Sequence, residues 1–405
     1  LIRTIARTYR AAYSGLPREC WLLFCTLLVN RAGGMVLPFV TLYLTQARGL
    51  SVAAAGRILA VYGIGAIAGS FLGGWLSDRI GATRTQQVSL FASAVGYLVL
   101  AERTEPREIA VAVFLLSIVV EAYRPAAMTD MAERAPEPLQ ARAFALLRLA
   151  ANIGAGIGPV AGGFLALHSY RWLFWADGAT CLLAGLLLAA TLGRGGAAAR
   201  EQEGGPRRRG PSPWRDGPFL LLLTLVVLLA AAFFQIFSTV PLYYKQRYLF
   251  REDTIGLLLG LNALLIILFE MVLIHWAERR NRLLLSGLGA FLVCAGFALM
   301  PLGSSLAFVT LTIVVWTLGE MLSLPLLNAV VASRAARGNR GRYMGLYATA
   351  FSFAFVFAPA CGTWVYQHRG PDTLWHAMWL AGAVMWIWAA ALIRAFRGRP
   401  AGRPD

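Results

Sequence analysis

Three carboxylic acids, Glu121, Glu270 and Glu320, lie inside long apolar stretches of this chain. A carboxyl group in hydrocarbon is suited to binding a proton on one side of a membrane and releasing it on the other as its surroundings change. Glu320 has no basic residue in its own apolar stretch and is the first choice for that role, ahead of Glu121 and Glu270. Arg31 and Arg124 are buried bases of the same kind. A charge near mid-membrane costs roughly 2.5 to 3.5 kcal/mol on insertion scales, so each should face a cavity or a carboxylate. Glu121 and Arg124 are three residues apart, which puts them on one helix face and makes Arg124 the candidate partner of Glu121. With Asn30, Tyr123, Asn262 and Asn328, the two arginines outline a candidate substrate cavity suited to amphipathic compounds. Tyr43, Phe233, Phe234 and Trp316 could extend it, although aromatics in such stretches more commonly pack or face lipid.

The stretch from Gly154 to Gly163 reads Gly-Ala-Gly-Ile-Gly-Pro-Val-Ala-Gly-Gly. So many glycines would weaken a helix in water, but in lipid they let a neighbouring backbone approach closely. The chain echoes itself 200 residues later, with Pro159 matched by Pro359, Gly162 by Gly362, Arg142 by Arg342 and Pro125 by Pro325. Asp78-Arg79 against Glu278-Arg279 keeps the same offset. Five coincident spacings imply two homologous halves, the construction of many secondary transporters.

The elements that must position these residues are membrane helices. Of 405 residues, 58% are hydrophobic and 14% charged, and the mean hydropathy is +0.62, which excludes an ordinary soluble protein. Twelve apolar runs of spanning length are expected, six in each half. The expected fold is all-α and polytopic, with twelve transmembrane helices in two pseudo-symmetric six-helix bundles. Residues 1–192 form the first bundle, 193–215 a cytoplasmic linker carrying Arg207-Arg208-Arg209, and 216–405 the second bundle. The net charge of +17 does not indicate nucleic acid, because the arginines fall between spans and not along one face. Cytoplasmic termini place about 25 of the 37 Lys and Arg residues inside, as the positive-inside rule requires. No secretory leader is apparent; Arg3, Arg7 and Arg10, with Tyr9 and Tyr13, are expected at the cytoplasmic interface. Cys20, Cys25, Cys181, Cys294 and Cys361 lack metal or disulfide spacing and are expected as small buried residues.

Between the second and third spans the chain reads Gly74-Trp75-Leu76-Ser77-Asp78-Arg79-Ile80-Gly81. This resembles the signature loop of the major facilitator superfamily. Ala82-Thr83 stands where that family usually has a basic pair, and Arg84 is displaced. The run Gly154, Gly158, Pro159, Gly162 and Gly163 is similar to the signature of the superfamily's proton-coupled antiporters, especially its drug exporters. The resemblance implies a conformational gate of Gly74, Asp78, Arg79, Gly81, Arg84 and Asp130. Asp78 would meet the N-terminus of span 11 and Arg79 would reach Asp130, in the outward-facing state. It further implies a monomeric carrier in a bacterial inner membrane, exchanging protons for a small-molecule substrate by alternating access among membrane lipids. A peptide or nutrient symporter and a lipid or lysolipid translocator are the alternatives.

An enzyme is not expected. His168, His275, His368 and His376 are scattered, so no metal or nucleophile site is formed, and no cofactor is called for. No phosphate-binding loop supports ATP-driven transport.

Overall fold

The computed structural model describes residues 15–192, 212–277, 280–334 and 340–397. The basic N-terminal stretch, residues 193–211 of the linker and the Glu278-Arg279 echo lie outside the described residues. Within them, regular structure is entirely helical.

The first span is broken into α1 (Arg18–Ala32) and α2 (Val36–Leu42), with a π-helical turn after it. Then follow α3 (Val52–Ile80), α4 (Ala82–Glu102), α5 (Pro106–Arg134), α6 (Gln140–Ala166) and α7 (Arg171–Leu192). The second half opens with another broken span, α8 (Gly217–Phe233) and α9 (Thr239–Gln246), and continues with α10 (Glu252–Ala277) and α11 (Arg282–Ala298). It ends with α12 (Leu306–Arg334), α13 (Arg340–Arg369) and α14 (Pro371–Arg397). Eleven of the described helical stretches are long and apolar enough to cross a membrane. The remaining one, α4, is 21 residues long and so reaches about 30 Å, the thickness of the hydrocarbon layer. Its low hydropathy has a local cause: Thr85, Gln86, Ser89 and Ser93 are all buried, so its polar residues point into protein.

The chain forms two compact units, each made of three segments. Unit 1 comprises residues 1–39, 64–200 and 252–263; unit 2 comprises 40–63, 201–251 and 264–405. In unit 1, Cys20, Leu23 and Leu27 of α1 pack with Tyr123 and Met131 of α5, Leu146 of α6 and Leu188 of α7. The glycines of α3 recur every fourth residue, and the neighbour they admit is α5. An added Cβ would lie 2.6 Å from the Phe114 carbonyl oxygen at Gly65, 2.9 Å from the Ile118 Cα at Gly69 and 2.7 Å from the Ala122 Cα at Gly73.

Unit 2 is tied at the start of α8 by an ion pair that no sequence pattern announces. Asp216 caps α8, accepting from the Phe219 N–H at 3.2 Å, and takes both arms of Arg334 at 2.6 Å and the Tyr343 hydroxyl at 3.0 Å. Burial raises the affinity of the Asp216 carboxyl for a proton, but Arg334, Tyr343 and the Phe219 amide outweigh it and hold the pKa below the ordinary 3.8. The Arg334 guanidinium also covers the Phe396 ring at 4.3 Å.

Removing one member of a buried pair leaves the other unpaired, so Asp216→Ala should cost about 3 to 5 kcal/mol in detergent unfolding. Because the folded-state pKa is depressed, the contribution of Asp216 should be complete above the ordinary aspartate range and disappear as pH falls through the lower, folded value. Equal acid sensitivity in the native protein and Asp216→Ala would contradict this.

Candidate functional site

The break in the first span is where three of the candidate residues, Asn30, Arg31 and Tyr123, meet. α1 ends at Ala32, a turn occupies Gly33, Gly34 and Met35, and the helix resumes at Val36. A break inside hydrocarbon leaves backbone N–H groups with no water to satisfy them. Asp177 of α7 supplies the acceptors: its two carboxylate oxygens take the N–H of Met35 at 3.0 Å and of Val36 at 3.1 Å. Asp177 is 2% exposed and sits at the N-terminal end of α2, where the helix dipole favours an anion.

The glycine-rich face of α6 seats against the same break. An added Cβ would lie 2.7 Å from the Arg31 carbonyl carbon at Gly154, 2.8 Å from the Gly34 oxygen at Gly158 and 3.0 Å from the Met35 Cβ at Gly162. A second face of α6 meets the first turns of α10, whose residues 252–263 belong to the same unit. There a Cβ at Gly163 would lie 2.5 Å from the Glu252 oxygen and 3.1 Å from the Gly256 Cα, while one at Gly256 would lie 3.2 Å from the Pro159 carbonyl carbon. Close by, the Tyr170 hydroxyl donates to Glu252 at 2.9 Å. Burial and the Glu252 carboxylate both push the Tyr170 phenol above its ordinary range.

A cavity of about 50 Å³ lies beside the break, lined by Asn30, Arg31, Ser93, Tyr123, Asp177 and Cys181 among others. Asn30 donates to the Cys181 sulfur at 3.4 Å. Among the described residues the buried Tyr123 hydroxyl has no hydrogen-bond partner. Asn30, Arg31 and Tyr123 of the expected substrate set therefore come together. Arg124 and Asn328 are exposed, and Asn262 is half-buried on α10. Trp316 is fully buried and packs against Phe297.

The expected acids are dispersed. Glu270 is buried, Glu121 and Glu320 are half-buried, and each engages neighbouring groups. In the gate loop, Gly81 adopts a left-handed turn conformation at φ 89°, which favours glycine, and Gly74 has open space around it. Asp78, Arg79 and Arg84 are exposed. Arg79 and Asp130, expected to meet in the outward-facing state, have other neighbours in this structure. Arg79 lies over the Trp75 ring at 4.3 Å, whereas Asp130 is bound by Arg134 at 2.5 Å, Gln86 at 2.7 Å and Thr83 at 2.9 Å. Arg134 is one helical turn from Asp130 and reaches it without crossing to another helix. Two of the five cysteines also differ from expectation, since Cys25 and Cys361 are exposed on their helices. Among the described residues no group of His, Cys, Asp and Glu could hold a metal ion.

Asp177, Arg134 and Gln235 escaped the sequence reading. Asp177 interrupts an apolar run just as Glu121 and Glu320 do, so the same rule could have found it. Gln235 serves the break between α8 and α9. Its amide N–H groups donate to the oxygens of Ala231 and Ala358 at 3.2 and 3.0 Å, and its oxygen accepts from the Thr239 hydroxyl at 2.8 Å.

Long helices, two interrupted spans and glycine faces shaped for other backbones define a polytopic α-helical membrane transporter. The sequence profile of the Major Facilitator Superfamily matches residues 22–353, and the chain belongs to that family. It is 26% identical over 334 residues to the MFS-type transporter YqjV of Bacillus subtilis (strain 168), covering 81% of this chain and 82% of that one. It is 25% identical to a Na(+), Li(+), K(+)/H(+) antiporter of Planococcus maritimus, with 82% and 85% covered. It is 24% identical to the multidrug resistance protein MdtH of Proteus mirabilis (strain HI4320), with 93% and 94% covered. A solved peptide transporter, POT, in complex with sulfate shares the fold at a TM-score of 0.78 and 16% identity over 95% of both chains.

Individual glycine positions along α6 differ in tolerance. At Gly156 an added Cβ meets only the Ala263 Cβ at 3.2 Å, whereas at Gly158 it meets backbone. Gly158→Ala should therefore lower the detergent unfolding temperature clearly more than Gly156→Ala; equal effects would show that the backbone yields. Asp177→Asn keeps the shape but halves the acceptors facing two N–H groups, and should destabilise by about 1 to 3 kcal/mol. Unchanged unfolding would remove Asp177 from its capping role.

Proposed function

We propose that this member of the superfamily is a proton-coupled secondary transporter that exports amphipathic compounds by alternating access. It acts as a monomer in the bacterial inner membrane, with both termini cytoplasmic. A first bundle to residue 192 and a second from residue 216 move about a central substrate path. The observation that carries this reading is the two-faced glycine helix α6, with Gly154, Gly158 and Gly162 on the broken first span and Gly163 on α10. A tightly seated helix of this kind seals against leak while leaving packing that can separate as a unit. A relative named for cation/proton antiport supports exchange, and one named for multidrug resistance supports export.

In this reading Glu320 carries the coupling proton, with Glu121 and Glu270 as the other candidates. The loop of Gly74, Asp78, Arg79, Gly81 and Arg84 serves as a gate that forms its contacts in a second state. The placement of Arg31 in a cavity favours one competing assignment, a symporter for carboxylate-bearing nutrients such as peptides.

Proteoliposomes under an imposed pH gradient separate the two. An exporter moves a lipophilic dye against the direction of proton flow, and a symporter moves substrate with it. Glu320→Gln should reduce gradient-driven movement at least tenfold while leaving gradient-free exchange in place. Full gradient-driven transport by Glu320→Gln would transfer the role to another acid.

A further inference from the structure

We infer that the cavity beside the first-span break is a binding site for a compact anion, either a free halide or the carboxylate end of a substrate. Its charge pattern is the reason. Of the two charged residues lining it, Asp177 is already satisfied, since each oxygen takes a backbone N–H at the start of α2. The positive end of that helix offsets its charge. Arg31 forms no ion pair among the described residues. A guanidinium left uncompensated in a membrane helix is costly, and an anion at its side relieves that cost.

The neutral groups point the same way. Tyr123 is 2% exposed and its hydroxyl has no partner among the described residues, although buried phenols are nearly always hydrogen-bonded. Among the described residues the Asn30 amide donates only to the Cys181 sulfur at 3.4 Å, a weak acceptor that a better one would displace. A guanidinium, a phenol and an amide from α1 and α5 thus converge as donors on one small space. Size limits the ligand. Drug-sized pockets run to roughly 300 to 1,000 Å³, whereas about 50 Å³ holds a few waters, one halide or one carboxylate. The body of an amphipathic substrate would remain outside. The carboxylate alternative rests on the transport reading above; the halide alternative does not.

The test is thermal unfolding of the purified full chain in detergent, titrated with the N-methylglucamine salts of chloride or acetate against a bulky sulfonate at constant ionic strength. The native protein should show a saturable rise in unfolding temperature. Tyr123→Phe, which removes only the hydroxyl, should weaken the apparent affinity roughly tenfold, as expected for one hydrogen bond to a charged group. Arg31→Gln should abolish the effect. A response to chloride assigns a free anion, and a response to acetate alone assigns a substrate carboxylate. No saturable response to either salt, or an undiminished one in Tyr123→Phe, overturns the site. Dye export measured on the same preparation keeps the two proposals apart, because export without an anion response removes this site and leaves the exporter assignment standing.

Discussion

Backbone hydrogen bonding in a medium without water is the constraint on which unit 1 depends. The turn at Gly33, Gly34 and Met35 takes the N–H groups of Met35 and Val36 out of the helical ladder; the Met35 N–H also reaches the Gly33 carbonyl at 2.6 Å, and an N–H left bare in hydrocarbon would cost several kcal/mol. Asp177 satisfies both, which fixes α7 against the break. The turn also brings main chain to the surface of the span, and only a helix lacking side chains at matching heights can cover it. Gly154, Gly158 and Gly162 provide that face on α6. The glycine pattern follows from the break as much as from transport.

The second half of the chain meets the same constraint with different chemistry. Its interrupted span breaks around Gln235, the position 200 residues after Met35, and an amide replaces the carboxylate. Gly362, the counterpart of Gly162, lies against Gln235 as Gly162 lies against Met35. The proline contacts repeat as well. Within unit 1 Gly256 meets Pro159, and within unit 2 Gly56 meets the Pro359 carbonyl, where an added Cβ would lie 2.8 Å from the oxygen. The proline and one glycine are retained across the duplication, whereas Gly154, Gly158 and Gly163 are replaced by Ala354, Ala358 and Thr363, so the full glycine face belongs to the first half alone.

The arginines Arg134 and Arg334, 200 residues apart, divide their partners in a similar way. Arg134 binds Asp130 on its own helix, and Arg334 reaches Asp216 at the start of α8. In both pairs the carboxylate is nearly buried and carries further donors, Gln86 and Thr83 in one and Tyr343 in the other. Such donors keep a buried carboxylate from being left short of partners. Thr83 stands where the superfamily's loop is usually basic, and Arg134 provides the charge that Asp130 requires.

The sequence by itself determined the helical membrane class, the family, the duplication and the importance of the glycine run. All of these are written in composition, period and motif, which a linear chain displays directly. The span α4 was legible only because its neighbours are spans, since its buried Gln86, Ser89 and Ser93 lower its hydropathy. Partnership was decided by the tertiary structure. Asp177 and Met35 are 142 residues apart, and Arg334 and Asp216 are 118 apart, so nothing local records that they meet. Glu121 and Arg124 illustrate the converse: correct helical spacing placed one half-buried and the other exposed, because a helix face is wide and its neighbours decide which part of it is covered.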